Sequence, residues 1–110
     1  DKLERVFDNL LRNAVNYSYP DTVIHLSMKR MTKEHKVLIR VQNHGRTIAK
    51  EKLEHIFEQF FRVDASRSSA TGGSGLGLAI ARQIVEMHHG QIRAESADET
   101  IVFEVELPCE

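Results

Sequence analysis

Four of the chain's six glycines fall in one stretch, Gly72-Gly73-Ser74-Gly75-Leu76-Gly77-Leu78, immediately ahead of an apolar run with helical spacing: Leu76, Ala79, Ile80, Ile84 and Met87. The glycines therefore open a helix rather than end one. A helix N-terminus presents unpaired N–H groups and partial positive charge, and glycine lets an anion come close to the backbone. A phosphate chain is the natural guest. Two familiar phosphate loops do not fit. Leu78 stands where the third glycine of G-x-G-x-x-G would follow Gly73 and Gly75, and no Lys-Ser/Thr pair follows the glycines. A flexible linker ahead of an ordinary helix would read the same way locally, so the rest of the chain has to decide.

The 110 residues suffice for one domain and one core. With 41% apolar and 28% charged residues and a net charge of −1, composition describes an ordinary globule and makes no general case for nucleic-acid binding. Cys109, the single cysteine, cannot form an internal disulfide, which suits a reducing compartment. No apolar run approaches the roughly 18 residues of a membrane span, and the charged N-terminus is unlike a signal peptide. The chain starts inside a helical pattern, which reads as a fragment of something longer.

Residues 1–18 are expected to form a helix: Leu3, Val6, Phe7, Leu10, Leu11 and Ala14 make an apolar stripe, with Asp1 as N-cap and Pro20-Asp21 turning the chain afterwards. Asn9, Asn13 and Asn16, at spacings of four and three, share one face beside that stripe, at the edge of the core. Asparagine is a mediocre helix former, so three in line call for a reason. An amide oxygen is a hard neutral ligand suited to Mg²⁺ that also holds phosphates; a solvated polar face is the plainer alternative. Residues 22–28 and 37–42 alternate as strands of an antiparallel hairpin, and 91–96 and 101–107 as a second pair. Asn43-His44-Gly45 reads as a break after the second strand, a turn that could also expose an amide at the sheet's rim. Lys50–Gln59 reads as a short helix carrying Leu53, Ile56 and Phe57. Residues 63–71 form a polar loop in which Arg67, together with Arg62 just before it, suggests a lid able to grip phosphate oxygens, although two solvated arginines would look alike. The last helix runs from Leu76 to about His88, with Gly90 as its C′ residue. The six histidines are scattered and show no zinc spacing. The expected architecture is α/β, an α+β two-layer sandwich: a mainly antiparallel sheet of four strands covered on one face by about three helices.

The order of these features resembles the ATP-binding catalytic domain of bacterial sensor histidine kinases, within the wider group of gyrase-, Hsp90- and MutL-like ATPases. The resemblance covers essentially all of residues 1–110. It is carried by Asn9-Leu10-Leu11-Arg12-Asn13-Ala14 with Tyr17-Ser18, by Ile56-Phe57-Glu58-Gln59-Phe60-Phe61-Arg62-Val63-Asp64, and by Gly73-Ser74-Gly75-Leu76-Gly77-Leu78-Ala79-Ile80. The ending, Gly90-Gln91-Ile92 with Ala94-Glu95-Ser96 and Phe103–Pro108, fits too. Within the family the wording looks closest to the vancomycin-resistance sensor kinases of the VanS type.

The resemblance implies that ATP binds between the asparagine helix and the lid. Asn13 would ligate Mg²⁺ with Asn9 beside it, and Asn16 and Tyr17 would lie near the phosphates. Asn43 would face the adenine, Gly45 would let the base approach, and Ile48 would line its pocket. Arg62 and Arg67 would reach the phosphates, and Gly73, Gly75, Leu76, Gly77 and Leu78 would wrap them with backbone amides. Four positions depart from the family pattern: Asn43 replaces an Asp, Thr47 a Gly, Asn16 a Lys, and His89-Gly90 a Gly-Gly pair. A neutral acceptor at Asn43 is expected to weaken adenine binding by about 1 kcal/mol relative to a carboxylate.

Gyrase-like members carry a Glu as general base where Asn9 stands, so hydrolysis should be poor and the γ-phosphate kept for another acceptor. By resemblance that acceptor is a histidine in a separate dimerising helical domain of the same kinase, with a response regulator downstream. The fragment itself would touch neither membrane nor nucleic acid; it would be a cytoplasmic domain of a membrane-anchored parent. The competing expectation is a non-catalytic interaction domain with a degenerate nucleotide site, motivated by Asn16, Asn43 and Thr47. The lid, residues 63–75, is expected to be unordered without ATP.

Overall fold

The computed structural model describes residues 2–58 and 77–109. Asp1 and the expected lid, with Arg62, Arg67, Gly73, Gly75 and Leu76, lie outside the described residues. Helix α1, Lys2–Tyr17, buries Val6, Leu10 and Ala14 completely, one residue per turn along a single stripe. Two hairpins supply the sheet: β1 (His25–Met31) with β2 (Lys36–His44), and β3 (Gln91–Ala97) with β4 (Thr100–Pro108). They join through β2 and β4, giving the order β1-β2-β4-β3 with every neighbour antiparallel. Between the hairpins the chain forms α2 (Lys50–Leu53) and α3 (Gly77–Met87). Both long helices lie on one face of the sheet: α1 packs on α3 and β2, and α3 on β3.

Alternation along the strands explains the two faces. Ile39, Val41, Ile101, Phe103 and Val105 point under the helices and are buried with Ala81, Ile84 and Val85 of α3. The opposite face carries charges that pair across strands, Lys36 with Glu106 at 3.0 Å and Arg93 Nε with Glu104 at 2.7 Å. These half-exposed pairs suit a solvated sheet face rather than a stabilising core.

Three local expectations need correction. α2 is a single turn, not a helix to Gln59. The N–H groups of His55, Ile56 and Glu58 bond three residues back, in tight turns that still deliver Ile56 into the core and Phe57 edge-on to Phe103. At the end of α3 the left-handed residue is His89 (φ 64°), not Gly90. Gly90 N–H bonds to the Val85 carbonyl and His89 N–H to that of Glu86, the paired bonds of a Schellman cap. Gly90 is required for space instead: a Cβ there would lie 2.3 Å from the Glu106 carbonyl oxygen. The first strand begins at His25 rather than residue 22, and its inward residues Leu26 and Met28 stay 59% and 70% exposed. Strand order puts β1 at the edge, beyond the cover of the helices.

Candidate functional site

The three asparagines of α1 are all half-buried, at the margin of the stripe formed by Val6, Leu10 and Ala14, as their spacing requires. Asn9 reaches across to α3, where its Nδ2 donates to the Gly77 carbonyl at 3.0 Å. That bond commits the amide nitrogen and leaves Oδ1 as the atom free to accept or ligate. It also fixes the asparagine helix beside the start of α3, whose first-turn N–H groups have no partners within their own helix. Leu78 is half-buried and packs its side chain against the core, so only its backbone is available to a ligand there.

The C-terminal end of α1 meets the end of β2. Tyr19 N–H donates to the His44 carbonyl at 2.8 Å. A Cβ on Gly45 would lie 2.1 Å from the Tyr17 carbonyl oxygen and 3.2 Å from Asn43 Nδ2, so no side chain fits between helix and strand. Tyr17 itself packs its half-buried side chain against the core. Asn43 does not break the strand: it pairs with Ile101 inside β2, and His44 pairs with Thr100. Nor is it at an exposed rim. It is 1% exposed, the one buried polar side chain among the described residues, and its Nδ2 has no hydrogen-bond partner there. Parity is the physical reason. Residues 37, 39 and 41 point inward, and 43 continues the series.

Ile48 is buried at 5% exposure, with its N–H donated to Ser96 Oγ at 2.9 Å. Thr47 Oγ1 accepts from Glu99 N–H at 2.7 Å. Gly45 N–H donates to the Glu99 carbonyl at 3.0 Å. The segment after β2 is thus held by the β3–β4 turn, in which Asp98 and Glu99 both have positive φ, the hairpin turn that matches strand twist. At the rim the Tyr19 hydroxyl donates to Glu99 Oε2 at 2.6 Å, and this bond to a carboxylate pushes the phenol pKa up. Ser96, Glu99 and Tyr19 were not expected at the site. For Ser96 a signal existed: it continues the inward series Ile92, Ala94 as a polar residue on an apolar face. A groove of about 440 Å³ between α2 and β3, lined by Lys50, Leu53, Glu54, Ala94, Glu95 and Ser96, flanks this end.

Two clusters therefore lie along one helix, one at its middle and one at its C-terminal end. Asn9 with Gly77 is at one, Tyr17 with Gly45 and Asn43 at the other, and Asn13 and Asn16 fall between them. The eight helical steps from Asn9 to Tyr17 span about 12 Å at 1.5 Å per residue, the scale of a nucleotide laid along the helix.

The family described as histidine kinase-, DNA gyrase B- and HSP90-like ATPase matches residues 1–110. Sensor protein VanSC of Enterococcus gallinarum is 51% identical over 98% of this chain and 29% of its own length. Sensor protein VanS of Enterococcus faecium is 50% identical over 99% of this chain and 28% of its own. The chain thus spans less than a third of these relatives. Among solved structures, a mycobacterial sensor histidine kinase, MprB, superposes with a TM-score of 0.86 at 30% identity, over 97% of this chain and 72% of that one.

Proposed function

This chain belongs to the histidine kinase-, DNA gyrase B- and HSP90-like ATPase family, and from that premise we propose that it binds Mg²⁺-ATP along α1 for transfer of the γ-phosphate to a histidine on a separate helical domain. The observation that carries the reading is α1 itself: one helix joins the start of α3, through Asn9 and Gly77, to the buried polar end of β2 at Gly45 and Asn43. A phosphate chain fits the first cluster, where helix N–H groups and amide oxygens meet. A flat base is assigned to the second, where the buried amide of Asn43 has a nitrogen without a hydrogen-bond partner among the described residues.

The donors on α1 suit a magnesium ion, which Asn13 and Asn9 would hold through their neutral amide oxygens. When bound, the ion neutralises charge on the phosphates. The chain's own residues position the triphosphate. α3 presents its first-turn N–H groups, and Asn9, its nitrogen held by Gly77, keeps its oxygen toward the same end. In the transfer, the bond from the γ-phosphorus to the bridging oxygen breaks, a phosphorus–nitrogen bond to imidazole forms, and ADP leaves. Positioning and electrostatic stabilisation carry most such reactions. Asn9 cannot take a proton from water at neutral pH, which disfavours hydrolysis and leaves the phosphoryl group for the imidazole.

The two enterococcal relatives are named as sensor proteins VanSC and VanS, and their identity with this chain supports a place in a two-component system, with a response regulator downstream and glycopeptide resistance as the output. No helix among the described residues is long and apolar enough to cross a membrane, so anchoring would fall to other parts of a parent sensor. The rival reading, a degenerate site in an interaction domain, is weakened at one of its own positions. Thr47 has a structural task, accepting from Glu99 N–H, so its departure from glycine is not a mark of decay.

Calorimetric titration with ATP, with and without Mg²⁺, tests the reading. Saturable Mg²⁺-dependent binding is expected, weakened at least tenfold in Asn13→Ala; binding that ignores both Mg²⁺ and Asn13 would refute it. With γ-labelled ATP, the chain alone should acquire no stable phosphohistidine, and adding the phosphoacceptor helical domain should produce label on that domain.

A further inference from the structure

A buried donor without a partner costs about 1–3 kcal/mol, and Asn43 Nδ2 is such a donor among the described residues. It sits beside Gly45, whose backbone packs too closely against the Tyr17 carbonyl to admit a side chain. We propose that Asn43 makes the pocket ambivalent at the purine 6-position, so that it admits 6-oxopurine nucleotides of the inosine and guanosine class as well as adenine nucleotides. This rests on the reading of Asn43 as the residue that faces the base.

The argument is one of hydrogen-bond complementarity. A side-chain amide carries an acceptor, Oδ1, next to a donor, Nδ2. Toward adenine, Oδ1 accepts from the 6-amino group while Nδ2–H donates to N1. Turned half a revolution about Cβ–Cγ, the same amide donates to the 6-oxo group and accepts from N1–H. Both edges receive two complementary bonds. A carboxylate at this position could only accept, and would set two acceptors against each other at a 6-oxo group. Sites that leave a buried polar group unpaired reject the wrong ligand by factors of about 10⁴–10⁵. A site that pairs with either ligand forfeits that discrimination. Asn43 also has nothing among the described residues holding its nitrogen, so the half-turn breaks no bond made by Nδ2.

The test uses the intact chain and a series of triphosphates with Mg²⁺: ATP, inosine triphosphate, and purine riboside triphosphate, which lacks any 6-substituent. Inosine triphosphate isolates the 6-position because it carries no 2-amino group. ATP and inosine triphosphate are expected to bind within about tenfold of one another, and both more tightly than the purine riboside compound. Asn43→Asp should widen the preference for ATP over inosine triphosphate by at least tenfold; the three wild-type titrations decide the question even where that variant folds poorly. ATP binding with inosine triphosphate excluded a hundredfold or more would overturn the inference and leave the nucleotide site standing. Equal binding of all three compounds would show that Asn43 does not read the 6-position. No binding of any of them would remove the site reading itself, and the inference with it.

Discussion

Gly45 shows how one missing methyl group sets the distance between two elements. A Cβ would overlap the Tyr17 carbonyl oxygen at 2.1 Å, and that oxygen belongs to backbone, which cannot swing aside as a side chain can. Gly45→Ala is therefore expected to cost about 1–3 kcal/mol, the usual range for overpacking, and to push the end of α1 off β2. Urea denaturation would read the loss, and an unchanged midpoint would contradict the packing described. The sequence marks this glycine only through a family resemblance, as a residue that would let a base approach; that it faces the helix backbone was not legible. Asn43 was partly legible. Its parity with Val37, Ile39 and Val41 already points it inward, but Asn followed by Gly is also an ordinary turn signal. The competition was decided by pairing with β4: once Asn43 stands opposite Ile101, the strand continues and the amide is buried.

Among the elements, α3 ends with a residue that pays a conformational penalty. His89 holds φ at 64° in the C′ position of the Schellman cap, where residues with a Cβ are disfavoured by about 1 kcal/mol or more. His89→Gly should raise stability by about 0.5–1 kcal/mol, because relief of that strain exceeds the added freedom of the unfolded chain. A thermal melt that falls instead would mean the imidazole holds contacts worth more than the strain. From sequence, Gly90 was the natural candidate for the left-handed residue. The structure uses it for closeness to the Glu106 carbonyl and leaves the strained dihedral to its neighbour. The apolar run of α1 held along its centre: Val6, Leu10 and Ala14 are fully buried, because a 16-residue amphipathic helix has one way to hide its stripe, whereas Leu11, counted in the same run, lies at its margin and stays 36% exposed.

Across the whole molecule, the helix layer covers the sheet unevenly. Phe103, at the centre of β4, is fully buried, whereas Met28 of β1 points to the same side of the sheet and is 70% exposed. Truncating the first, Phe103→Ala, should cost about 3–5 kcal/mol. Met28→Lys should change stability by less than about 0.5 kcal/mol, as substitutions at open surface do, and a charge there also blunts an exposed sheet edge. A large loss at Met28 in chemical denaturation would show that the edge is covered in solution, which the strand order alone does not provide.

The sequence by itself determined the amphipathic helix, both hairpins, the α/β class and the family, since each rests on periodicity or on motifs local to a few turns of chain. It also brought the asparagines of α1 onto one face, which 3.6 residues per turn requires. Only the tertiary structure decided that Asn9 meets Gly77, that Gly45 rests against Tyr17, that Ser96 and Glu99 hold the segment after β2, and that β1 lies at the edge. Those contacts join residues far apart in the chain. They follow from the order β1-β2-β4-β3, which depends on how two hairpins and two helices bury their apolar faces together, and no local pattern encodes that choice.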